Sequence, residues 1–530
     1  MKREHLFRIL GLVDEDLIEE ADTASSPAAV QRRRLGHIAA AAACVTLVCG
    51  ATLSWFITGG FRGFGAAQAP GESGGGSGIA HDAEPLSVEG TTFMSYAGPV
   101  FPLATLESHE GLTASRRVTW DFAPGSHEDG TPRQWGAEVE DAYVLTNSTT
   151  GDIVATASYP YAGDLSGLSQ APSLTVDNEP LSATVSAGAY AGSFTDANMP
   201  AGSSWNLSRP DSWTDYRTLL ADGTYRTAAY GEAPALDLPA VVYEFTDFQA
   251  PHTEHDAASQ AIEFTIDPAA TTVLTYGFNG GSWDEETGWQ QRSFFVPNGV
   301  RRDPEPKLLV VLGEDIGDYT LQGYEDGGCD PGEELDTVSC TVIRTETTLS
   351  TALDQLCRAY LEDRTFVLAQ DQQESLRQME FSLFRNAAAE LLTQHGPLAG
   401  ENAADRYSDG RLDELIMECL TVDRVLYLTF EITIPAGSSV SLQANLCKAP
   451  SFDYGCSDSE TRDLQGYDLV TQLGSDLTFT GQTAALTNTE TIEIVNQNMG
   501  FDLKNGVDTV ELSPDAEHYY LEIRPVRDEE

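Results

Sequence analysis

Lysine is nearly missing from this chain: 530 residues contain four, Lys2, Lys307, Lys448 and Lys504. Basic residues total 30 against 82 acidic ones, a formal net charge of −52. A field of that sign repels phosphate backbones and anionic lipid headgroups, which excludes nucleic acid as an expected partner. It suits a solvated surface, or one that attracts cations or a basic partner. Cysteine is sparse too. Of the eight, Cys44 and Cys49 fall in an apolar run, where they act as small hydrophobes. The other six, Cys329, Cys340, Cys357, Cys419, Cys447 and Cys456, are too few for a disulfide scaffold. The pairs nearest in sequence, Cys329–Cys340 and Cys447–Cys456, are the first candidates for bridges, with buried thiols as the alternative. There is no Gly-x-Ser-x-Gly, no phosphate loop and no dinucleotide fingerprint, so no organic cofactor is implied.

What is present begins with one long uncharged run. Leu35–Thr58 contains no Asp, Glu, Lys or Arg, and a helix needs about 20 apolar residues to cross a bilayer. Arg32, Arg33 and Arg34 precede it, against Arg62 beyond, so the positive-inside rule puts the N-terminus in the cytoplasm. Trp55 and Phe56 stand where an outer aromatic belt would be. A cleaved signal peptide ending at Ala67-Gln68-Ala69 is the competing reading. The run is too long for it, and the leading segment too acidic. The expectation is a cytoplasmic tail (1–34), a transmembrane helix (35–58), a Gly/Ser-rich linker (59–90) and an extracellular remainder, in a single-pass protein of the cell membrane. In the tail, Leu6, Ile9, Leu10 and Val13 share a helical face and Asp14 caps a second piece. Helices this short are marginal alone, so residues 2–22 are candidates to meet a cytoplasmic protein.

Apolar and aromatic fractions of 41% and 9% are those of a globular chain, and the length exceeds one ordinary core. The fold class expected is mainly β. Residues 91–240 alternate short strand-like runs (117–122, 142–146, 153–159, 181–185) with turn signals and show no convincing helix. They predict a β-sandwich-like domain. Residues 241–530 predict a second β-rich domain, with strands at 241–245, 262–266, 272–278, 294–296, 308–312 and 319–321. A helical insertion at 348–421 interrupts it: Leu349, Leu353, Leu356 and Tyr360 fall on one helical face, and Leu376 to Leu391 and Leu412 to Cys419 form two more. Strict alternation from Val425 to Ile434 then marks a half-buried strand, followed by others near 440–446, 477–480, 489–495, 509–512 and 519–524.

The tail from Ile9 to Ala21, ILGLVDEDLIEEA, followed by an Arg cluster and an Ala/Cys-rich span, resembles a group of uncharacterised membrane-anchored proteins of anaerobic Gram-positive bacteria. Some members with such tails resemble anti-sigma-factor-type regulators. The stretches Pro306 to Glu334 and Thr433 to Ser457 are similar to uncharacterised ectodomains of that group. The resemblance implies a location and carries no known activity.

Three constellations are candidates for chemistry. His252, Glu254, His255 and Asp256 offer imidazoles and carboxylates to a transition metal, but without zincin spacing. Asp326, Asp330, Glu333 and Glu334, in an acidic Gly-rich loop, are candidate calcium ligands, although their spacing is not that of an EF-hand. Trp283 and Trp289, beside carboxylates at a hairpin tip, are candidate sugar-stacking residues. No carboxylate pair singles itself out as a glycosidase site. The reading is a non-enzymatic, membrane-anchored surface protein whose outer region binds or senses an extracellular ligand or protein. The alternatives are a transmembrane regulator docking a cytoplasmic partner, and an ectoenzyme acting on glycans or peptides.

Overall fold

Beyond residue 94 the chain is dominated by alternating runs, and the computed structural model is mainly β, with five sheets among the described residues. It describes residues 95–123, 136–190, 223–250, 258–296, 306–362, 375–400, 407–453, 464–472, 475–513 and 515–526, with 218 and 221 besides. The expected tail, span and linker, the 252–256 constellation and Cys456 lie outside these residues. Among the described residues no helix is long and apolar enough to cross a membrane.

A seven-stranded sheet sets the frame. Its order is Thr509–Glu511, Thr478–Thr487, Leu112–Asp121, Ala137–Asn147, Ser439–Lys448, Ser173–Val176 and Glu179–Leu181. Thr478–Thr487 runs parallel to Leu112–Asp121, and the other pairings are antiparallel. Period-two burial puts Leu112, Ala114, Arg116, Val118 and Trp120 on one face. That face meets two neighbours in succession. Leu112, Ala114, Tyr143 and Leu145 share a core with Ala155 and Tyr159 of Ile153–Gly163 and with Leu428 and Phe430 of Arg424–Ile434. Those two strands are the middle of a four-stranded sheet edged by Ala104–Thr105 and Thr184–Tyr190. Val118, Trp120, Val139 and Leu486 instead join Tyr467 and Leu469 of Gln465–Val470 and Leu521 and Ile523 of His518–Pro525.

Two further sheets come from the middle of the chain. One is ordered Thr271–Tyr276, Lys307–Gly313, Pro239–Gln249, Ser339–Thr348; the other Gly280–Asp284, Trp289–Phe295, Ser259–Thr265, Tyr319–Tyr324. Tyr243, Phe245, Leu309 and Val311 pack on Ile262, Phe264 and Phe294 between them. Leu308, Val310 and Val242, from the opposite face of the first sheet, join the core of helices Leu349–Glu362, Phe381–Glu390 and Leu412–Thr421. Lys307–Gly313 is therefore covered on both faces, which explains its unbroken apolar run.

Several expectations need correction. The pairing does not follow a division at residue 240: Ile153–Gly163 and Thr184–Tyr190 both pair with Arg424–Ile434. Periodicity identifies a strand but not its partner. Region 91–240 does contain a helix, Thr224–Tyr230, a short element held by the buried Tyr225. The second inserted helix is broken near Met379 and Glu380, just before Phe381. Ser339–Thr348 is a strand missed in the pattern because most of its residues are exposed or half-buried on both faces. The Cys329–Cys340 bridge does not form: both thiols are free, Cys329 beside Ala261 and Tyr324, Cys340 against the aromatic core. Cys357 and Cys419 are thiols inside the main core, where burial pushes both up, Cys357 to about 12.

Candidate functional site

Small side chains leave an opening at one sheet edge. Thr184–Tyr190, sequence TVSAGAY, is the last strand of the four-stranded sheet. It pairs with Arg424–Ile434 on one side, and among the described residues no strand lies on its other side. A helix covers each face of the sheet here. Tyr225 of Thr224–Tyr230 shares a core with Val425 and Tyr427, while the Tyr230 hydroxyl lies 2.8 Å from Ser158 Oγ and from Thr429 Oγ1. On the opposite face Leu426 and Leu428 join Phe384, Ala387 and Ala388 of Phe381–Glu390. Gly188 permits the first helix its approach. A Cβ at that position would stand 2.6 Å from the Val425 carbonyl oxygen and 2.9 Å from that of Tyr225.

Between the two helices lies a groove of about 810 Å³. Four consecutive residues, Thr184 to Ala187, line it. Side chains along a strand alternate between faces, so a run of successive residues means that the groove follows the strand's edge. One wall comes from the first helix and the turn after it, with Thr227, Ala228 and Glu232. The other carries Ser382, Leu383, Asn386, Ala387 and Glu390, a helical face. Ala187, Ala228 and Ala387 explain the unfilled volume, since none extends beyond Cβ.

The groove is acidic. Glu232, Glu380 and Glu390 line it, with no Lys, Arg or His among the lining residues. Glu390 is the guarded one: its side chain is 13% exposed and pairs with the fully buried Arg424 at 3.2 Å. Burial pushes its carboxyl up, against the pull of Arg424. Arg424 lies 3.9 Å from the centre of the Tyr190 ring and donates to the Gly188 carbonyl at 3.2 Å. Burial opposes its charge, but Tyr190 and Glu390 prevail and its pKa is raised. Glu380 stands at the N-cap of the helix that Glu390 ends, ten residues on, roughly 15 Å at the α-helical rise. Paired-carboxylate glycosidases use about 5–9.5 Å, so this pair does not fit that chemistry.

The residues singled out in the sequence lie elsewhere. Trp283 and Trp289 belong to one hairpin, Gly280–Asp284 with Trp289–Phe295. Trp283 stands opposite Gln290 and Trp289 opposite Asp284, so the two indoles project from opposite faces and make no common platform. Trp283 is 51% exposed with Arg292 against its ring at 5.5 Å, and Trp289 is half-buried. In the acidic loop, Gly328 N–H donates to Asp326 at 2.7 Å and Gly332 N–H to Glu334 at 2.9 Å. The latter bond holds the Glu334 carboxyl low, while Asp326 and the other nearby carboxylates hold Glu333 high. Among the described residues no three His, Cys, Asp or Glu side chains are grouped to hold a metal ion.

Sequence reasoning passed over the groove because no motif marks it. Its one local signal is small-residue enrichment in two separate segments, SAGA at 186–189 and AAA at 387–389. No family model matches the chain, and a search of curated proteins finds no match.

Proposed function

We propose that this chain is a membrane-anchored surface protein whose outer region is a binding or sensing module without catalytic activity, and that the groove along Thr184–Ala187 is its ligand seat. In this reading Leu35–Thr58 is the transmembrane anchor. The outer region is sandwich-like in its paired sheets, and the helices between 349 and 421 are an insertion that supplies one groove wall. The observation that carries the reading is a groove lined by four successive residues of an edge strand between two helices. Such a site offers backbone hydrogen bonds and shape rather than a reacting group.

The test uses the full chain in lipid nanodiscs, offered a panel of extended peptides and soluble glycans. Asn386→Trp fills the groove from an exposed position on its wall; Val154→Trp, on a strand surface 56% exposed, is the control. Capture that Asn386→Trp abolishes and Val154→Trp preserves supports the reading. Capture untouched by both variants places the ligand elsewhere. Protease added to intact cells removes residues beyond the linker if the anchor and its sidedness are right, and spares them if they are not.

A further inference from the structure

We propose that the groove takes an extended, cationic polypeptide segment, added as a strand beside Thr184–Ala187; this deepens the reading of the groove as the ligand seat and rests on it. Two independent features lead to the choice. The first is the edge. Alternate N–H and C=O groups of an edge strand point away from its sheet, and an extended chain is the partner that satisfies them in sequence. No described strand occupies that position.

The second is charge. Glu232 lies on one wall and Glu380 and Glu390 on the other, with no basic residue among those lining the groove. In an added strand successive side chains turn to opposite faces, so basic residues at neighbouring positions meet a carboxylate on either side. Arg424 answers Glu390 from behind, within the core; Glu232 and Glu380 are exposed. The overall charge of −52 draws a cationic segment toward the groove and repels an acidic one. The small wall residues Ala187, Ala228 and Ala387 leave room for the intervening side chains.

Three labelled peptides offered to the full chain in nanodiscs test this: a lysine–valine peptide of the repeat lysine–lysine–valine–valine, which puts lysines on both faces of a strand, its glutamate–valine counterpart, and the lysine–valine peptide N-methylated at alternate amides. Anisotropy reads affinity, and hydrogen exchange reads protection at 184–187. The lysine–valine peptide binds, protects alternate amides in 184–187 and weakens as salt rises. The other two do not bind. Glu232→Gln and Glu380→Gln each weaken binding about threefold. Equal binding of the glutamate–valine peptide, with 184–187 still protected, overturns the charge assignment and leaves the groove as the seat. Equal binding of the N-methylated peptide overturns strand addition. A chain that captures some other ligand sensitively to Asn386→Trp, while no peptide alters exchange at 184–187, overturns this inference but not the functional reading beneath it.

Discussion

The Arg116 guanidinium meets the Asp141 carboxylate through two hydrogen bonds of 2.8 Å, and neither side chain reaches solvent. The pair lies where the seven-stranded sheet changes partner. On Leu112–Asp121, Ala114 belongs to one core and Val118 to the next, with Arg116 between them. On the neighbouring strand Asp141 separates Tyr143 from Val139 in the same way. Arg116 also donates to the carbonyls of Val470, at 2.7 Å, and Phe101, at 3.0 Å, while the hydroxyls of Tyr143 and Tyr159 donate to Asp141. Burial disfavours the charge on Arg116, but Asp141 outweighs it and the pKa is raised. The pair thus ties three sheets together at the seam between two apolar cores.

Removing one member leaves the other charged and buried. Arg116→Met and Asp141→Asn should each destabilise the fold by about 3–5 kcal/mol, read from urea unfolding. Because each loss already includes the stranded partner, the double substitution should cost less than the sum. Strict additivity would show that the two side chains are not energetically coupled.

Acid titration should favour the fold at two positions. Burial, reinforced by Asp409, Asp413 and Glu418 against the pull of Arg411, pushes the Glu414 carboxyl from an ordinary 4.5 to about 7. Burial and Asp164, against Lys448, push Asp423 from 3.8 to about 6. With the folded pKa above the unfolded one, the folded chain holds a proton that the unfolded chain releases. Stability from these groups therefore falls as pH rises, from about 4 up to about 7. The melting-temperature advantage of Glu414→Gln with Asp423→Asn over the parent should grow across that interval. An offset constant from pH 4 to 7.5 would contradict the assignment.

Gly188 is the contact point for the first groove wall. Gly188→Ala places a methyl group 2.9 Å from the Tyr225 carbonyl oxygen of the helix and 2.6 Å from that of Val425 on the paired strand, so helix Thr224–Tyr230 has to lift and the strand to shift, at a cost of about 1–3 kcal/mol. Gly481→Ala, where nothing stands within 4 Å, is the matched control. Thermal unfolding separates the two, and equal melting temperatures would show that the helix does not press on the strand.

Much of the local fold is legible in the sequence. Alternation from Val425 to Ile434 locates Arg424–Ile434 to within a residue. Leu349, Leu353, Leu356 and Tyr360 are all buried on their helix, as their spacing requires. What periodicity does not carry is partnership. That Thr184 faces Thr429, or that Gln482 lies beside Arg116, depends on packing between segments far apart in the chain. The groove inherits this difficulty, since its edge and walls come from three separated segments and its chemistry is mostly backbone. Residue types suggested Trp283 and Trp289 as a pair, but adjacent register positions send them to opposite faces, which only the strand pairing reveals.

The most direct test of the account is hydrogen exchange at the amides of 184–187 in the full chain without ligand, set against those of 426–429 in the adjoining strand. An open edge lets alternate amides of 184–187 exchange freely while 426–429, paired on both sides, stay protected. Uniform protection of 184–187 to the level of 426–429 would mean that the edge is already filled, and would contradict the proposed seat.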